Sequence, residues 1–136
     1  MANLVTDLMG IGTMKEERRR TARVLVEHLV SYVVLDERGG TDEMGMARTL
    51  DLSEGGIVLE MTHSLDRGSH LEMKMVSGDH ILEARGLVVY SKYLPDYLPD
   101  NRWRVGVSFT EITEGDLATI AQEVEERRMQ ETRGDA

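Results

Sequence analysis

The chain has 136 residues, no cysteine, and 25 acidic against 16 basic side chains, a formal net charge of −9. At 40% hydrophobic and 30% charged it has the composition of one globular domain, and it excludes a disulfide frame, a thiolate metal site and a thiol nucleophile. No apolar run reaches the roughly 20 residues of a membrane-spanning helix, and the opening segment Met1 to Met9 lacks a basic leader and carries Asp7, so a cytoplasmic setting is expected.

Residues 1–17 read as an N-terminal extension, flexible or loosely docked. Leu4, Val5, Leu8 and Met9 can share one face of a short helix, which Gly10 and Gly12 end. Charge is uneven along the chain: residues 1–23 carry a net +2, with most of their basic groups between Lys15 and Arg23, whereas residues 24–136 carry a net −11. A run rich in Val, Leu and Tyr from Val24 to Leu35 predicts a strand, ended by the loop residues Glu37 to Asp42. Met44 to Leu52 and Gly56 to Met61 predict two strands joined by the turn Ser53-Glu-Gly-Gly56. Leu71, Met73 and Met75 alternate with Glu72 and Lys74, the period of a half-buried strand.

Ser77-Gly-Asp79 predicts a compact turn into a long strand, Ile81 to Tyr93, in which Gly86 marks a bend or bulge. Two prolines make Leu94 to Asp100 a loop. Asn101 to Thr110 resumes the strand pattern with Trp103, Val105, Val107 and Phe109 on one face. Thr113-Glu-Gly-Asp116 has the form of a capping box, and Leu117, Ile120, Ala121 and Val124 follow at helical spacing. Residues 127–136 form a charged C-terminal tail. The expected fold is mainly β: a six-stranded antiparallel β-barrel with a C-terminal α-helix. Consecutive strands with short turns exclude a parallel nucleotide-binding sheet, which needs crossover helices.

Catalytic patterns are missing. There is no Gly-x-Ser-x-Gly, and His28, His63, His70 and His80 lie in different segments without metal-ligand spacing. Gly10-Ile-Gly12 has no preceding strand and no following helix, so it is no dinucleotide fingerprint. No enzyme and no cofactor are expected. Two elements suggest binding instead. Arg18, Arg19, Arg20 and Arg23 stand within six residues, and arginine presents a planar fork suited to phosphate and to the O6/N7 edge of guanine. Asp51-Leu-Ser-Glu-Gly-Gly56 then offers an acceptor for a guanine N–H edge in Asp51, a hydroxyl in Ser53, and in Gly56 a residue that permits close backbone approach or a positive φ. Alone, each also fits a solvated charge run or an ordinary turn.

Together, Arg19-Arg-Thr-Ala-Arg23 and Asp51-x-Ser53-x-x-Gly56 resemble the paired motifs of the PilZ domain family, bacterial receptors for cyclic di-GMP. The resemblance extends through Ala84-Arg-Gly-Leu-Val88 and Arg104-Val-Gly-Val-Ser-Phe109, and it makes residues 18–126 a PilZ domain with a PilZ-type barrel. It implies that Arg19 and Arg23 hold phosphate and guanine from a segment that wraps the ligand, while Asp51, Ser53 and Gly56 meet guanine from the barrel. Arg18, just before the first motif arginine, implies an intercalated ligand dimer. The resemblance further implies a conformational change on binding that signals to an effector protein. Its alternative is a PilZ-fold adaptor that binds no nucleotide. Long nucleic acid is excluded as a partner by the −11 of the barrel segment and the scarcity of stacking aromatics.

Overall fold

Residues 24–25, 27–95 and 101–134 are described by the computed structural model; the arginine motif and the center of the proline loop lie outside them. Seven strands, β1 (Val24–Leu25), β2 (Leu29–Leu35), β3 (Thr41–Leu52), β4 (Gly56–Met61), β5 (His70–Ser77), β6 (His80–Leu94) and β7 (Arg102–Ile112), precede one helix, α1 (Glu114–Gly134). All pairings are antiparallel and run β3-β2-β5-β6-β7-β4, with β4 returning to β3. Six strands thus close into a barrel, the architecture expected. Closure removes the free strand edges that a small sheet would otherwise present.

The expected strand from Val24 to Leu35 is split. β1 pairs with the end of β3 (Val24 opposite Leu52, Leu25 opposite Asp51), whereas β2 begins with Leu29 opposite Arg48, one residue out of step. Thr49 bridges the interruption. Its N–H donates to His28 O at 2.9 Å, and its Oγ1 accepts from His28 N–H at 2.8 Å. A fully buried hydroxyl therefore satisfies the backbone group that the broken ladder leaves over.

Alternation along the strands sends Val30, Leu52, Leu59, Leu71, Val88 and Val105 into the barrel, all no more than 1% exposed. Trp103 and Phe109 pack against this core on the face expected of them. Gly86 sits where the β6–β7 register shifts, the irregularity its position in a strand suggests. In α1, Ile120 and Val124 join the core. Half of the expected capping box forms: Asp116 N–H donates to Thr113 Oγ1 at 3.2 Å. The Asp116 carboxylate turns to the barrel and accepts from Glu83 N–H at 3.1 Å. Glu123 adds a second tie, with 2.5 Å between its Oε1 and His28 Nε2 and 3.4 Å between its Oε2 and Ser77 Oγ. The helix continues to Gly134, so the first residues of the charged tail extend α1.

Candidate ligand-binding face

Asp51, Ser53 and Gly56 are brought together by the β3–β4 connection. Leu50 is the extra residue of a bulge, because Thr49 opposes Leu59 while Asp51 opposes Val58. The bulge shifts the strand by one position and presents Asp51 on the outer face of the barrel, half-buried. Ser53 is 1% exposed. Its Oγ accepts from the Gly55 and Gly56 N–H groups at 3.3 and 3.2 Å and lies 3.3 Å from Gly56 O, and its own N–H donates to Gly56 O at 3.0 Å. The hydroxyl is engaged inside the turn and sets its shape.

Gly56 is required for close packing. A Cβ there would lie 2.3 Å from Val107 O, and Gly56 is not among the positive-φ glycines. The close backbone approach read from the sequence is therefore made to β7, and no left-handed conformation is needed. Phe109 N–H donates to Gly55 O at 3.0 Å, which fastens the turn to β7 from the other side.

Beside the turn lies an open groove of about 230 Å³, lined by Gly55, Gly56, Val58, Tyr90, Gly106 and Ser108 among others. Register puts Asp51, Val58, Gly106 and Tyr90 in one row across β3, β4, β7 and β6. Gly106 is covered by the Tyr90 ring, since a Cβ on Gly106 would meet Tyr90 Cε1 at 2.1 Å. Tyr90 itself is 40% exposed, and an exposed aromatic face beside an acceptor suits stacking of a base. The sequence does not single out Tyr90. Within a strand, an outward tyrosine has no local signature, and its proximity to Asp51 arises from two cross-strand registers.

Two larger hollows, about 410 and 610 Å³, flank Arg85 on the other side of the barrel. The charged lining of the first includes the Arg85–Glu72 ion pair at 2.7 Å and Lys74–Glu83 at 3.7 Å. Size alone does not select a site here; the motif turn lies on the smaller groove.

The arginines Arg18, Arg19 and Arg23 lie outside the described residues. Among the described residues, Val24, covalently next to Arg23, pairs with Leu52, which lies between Asp51 and Ser53.

Comparison with known proteins agrees with the architecture. The PilZ domain family model matches residues 17–126, and the chain belongs to that family. Its fold is similar to the inhibitor of motility MotI/DgrA from Bacillus subtilis (18% identity, TM-score 0.65, covering 83% of this chain and 52% of that one). It is also similar to the PilZ domain of YcgR with c-di-GMP from Escherichia coli (12% identity, TM-score 0.61, 87% and 97%) and to MrkH from K. pneumonia (16% identity, TM-score 0.67, 86% and 53%). The chain spans about half the length of MotI/DgrA and of MrkH. No curated protein matches it in sequence. PilZ domain proteins are in general receptors and adaptors, not enzymes, and no helix among the described residues is long and apolar enough to cross a membrane.

Proposed function

We propose that this PilZ domain is a cytoplasmic receptor for cyclic di-GMP that changes conformation on binding and signals to an effector protein. The observation that carries this reading is the place of the motif turn, beside β1 and an outer groove. The turn holding Asp51 opens on an outer groove, and β1 ties the residue after Arg23 to the strand that ends in that turn. Further support comes from the family and from the similarity of fold to YcgR, whose PilZ domain is described with c-di-GMP.

In this reading the Asp51 carboxylate accepts from a guanine N–H edge, Ser53 and Gly56 hold the turn that aims it, and Arg19 and Arg23 reach the phosphates and the guanine O6/N7 edge. Arg18 stacks on a second ligand molecule in an intercalated dimer. The arginine segment clamps onto the barrel when ligand arrives and so changes the surface offered to the effector. Because the body of the protein is acidic, affinity falls with salt as the local arginine attraction is screened.

Calorimetric titration with cyclic di-GMP tests this directly. Arg19→Ala and Asp51→Ala are each expected to abolish binding while the chain stays folded, and two ligands per chain are expected. Full affinity in both variants, or no binding by the native chain, would leave the adaptor reading; equimolar binding would remove the dimer. Hydrogen exchange over residues 10–25 that is unchanged by ligand would remove the clamp.

A further inference from the structure

One row of residues along the strands from the groove, the outer face changes character. Moving two residues from Val58 leads to Glu60, from Gly106 to Arg104 and from Tyr90 to Lys92, a step of about 7 Å. Register aligns Arg48, Glu60, Arg104 and Lys92 across β3, β4, β7 and β6, with Arg102 opposite Leu94 in the next row. Four cations and one carboxylate thus share one strip of a protein of net charge −9.

Charge within the strip is not balanced. Glu60 is buried, its side chain 4% exposed, and its Oε1 lies 2.9 Å from Arg48 Nη2 and 3.6 Å from Arg102 Nε. Arg48 also reaches Glu27 at 3.6 Å. Arg104 faces Glu60 by register, yet the carboxylate turns toward Arg48 and Arg102. Arg104 and Lys92, both exposed and directly opposite each other, make no ion pair with any described residue. Like charges at directly opposed positions destabilize an antiparallel pair. Glu60 Oε2, meanwhile, is buried with no hydrogen-bond donor among the described residues, an arrangement a folded protein rarely leaves unanswered.

We propose that Lys92, Arg102 and Arg104, steadied with Arg48 by Glu60, form a phosphodiester-binding strip that extends the groove beside Asp51. This rests on the receptor reading for the source of the phosphate, which is the cyclic dinucleotide itself. A phosphodiester meets the demand of the strip, because its negative charge neutralizes the opposed cations. Glu60 acts here as a positioning residue, and the free cations make the contact.

The test uses Lys92→Gln and Arg104→Gln, singly and together, in the full chain, with cyclic di-GMP affinity and thermal midpoint measured side by side. Each variant is expected to weaken binding about tenfold, the size of one charge-assisted contact. The thermal midpoint without ligand is expected to hold or rise, because a repulsion has been removed. A merely structural role would move both readings down together. A double variant that keeps affinity within twofold, while Asp51→Ala still abolishes it, overturns the strip and spares the receptor. If the native chain binds no cyclic di-GMP, the receptor reading falls; the strip is then decided by whether amide signals of Lys92, Arg102 and Arg104 shift on titration with inorganic phosphate, and their silence overturns it.

Discussion

Two outer faces of the barrel share β6 and treat charge in opposite ways. Where β6 meets β5, cations face carboxylates: Lys74 is opposite Glu83 and Glu72 opposite Arg85, with ion-pair distances of 3.7 and 2.7 Å. Where β6 meets β7 next to the groove, Lys92 faces Arg104, although nearer α1 the same seam pairs Arg85 with Glu111 at 3.9 Å. The first face is electrostatically complete in the folded chain, and it also exposes apolar side chains such as Met44, Met46 and Ile81. The second carries a turn fastened to β7, an open groove and cations that no described carboxylate answers. Cross-strand partners of opposite sign support a sheet, and partners of like sign oppose it. The β6–β7 face is therefore the one arranged for an anion from outside.

The comparison can be broken most severely at the turn. Gly56→Ala places a methyl group against Val107 O, 2.3 Å from the ideal Cβ position, and backbone on both sides limits relaxation. A loss of about 1–3 kcal/mol in stability is expected, measured by urea unfolding, together with loss of ligand binding. An unfolding midpoint equal to that of the native chain would show that the turn is not fastened to β7 as described.

A smaller effect is expected on the complete face. Glu72→Lys turns the 2.7 Å partner of Arg85 into a like charge on a partly exposed pair, which costs under about 1 kcal/mol. Cyclic di-GMP affinity is expected to stay unchanged, since the pair lies on the far side of β6; a large drop in calorimetric affinity would dissolve the distinction between the faces. The smallest stability effect belongs to Lys92→Glu, which creates an opposite-charge pair with Arg104 and is expected to stabilize by a few tenths of a kcal/mol. Affinity is expected to fall more than in Lys92→Gln, because a repulsive charge replaces a missing one. Differential scanning calorimetry with and without ligand would show both trends, and a destabilized variant would contradict the like-charge opposition.

Much of the barrel was legible in the chain. Alternation at Leu71, Met73 and Met75 marked β5, Gly86 marked the irregularity in β6, and Thr113 marked the start of α1, because each of these signals is local. The split between β1 and β2 was not legible: Val24 to Leu35 reads as one apolar run, and the interruption depends on Thr49, more than twenty residues away in sequence. The motif turn was visible as a turn, while the inward engagement of the Ser53 hydroxyl and the contact of Gly56 with β7 were not. Asp, Ser and Gly form turns for several reasons, and only packing shows which one applies.

The sequence by itself determined that six apolar-periodic segments, a capped helix and two spaced motifs belong to one PilZ domain, since period, turn chemistry and motif spacing are properties of neighbors along a chain. Only the tertiary structure decided that Tyr90 lies in the row of Asp51, and that Arg48, Glu60, Arg104 and Lys92 form the next. An outward polar residue in a strand looks the same whatever stands opposite. Its partner is chosen by strand order, register and bulges such as Leu50, where a shift of one residue moves every following side chain to the other face.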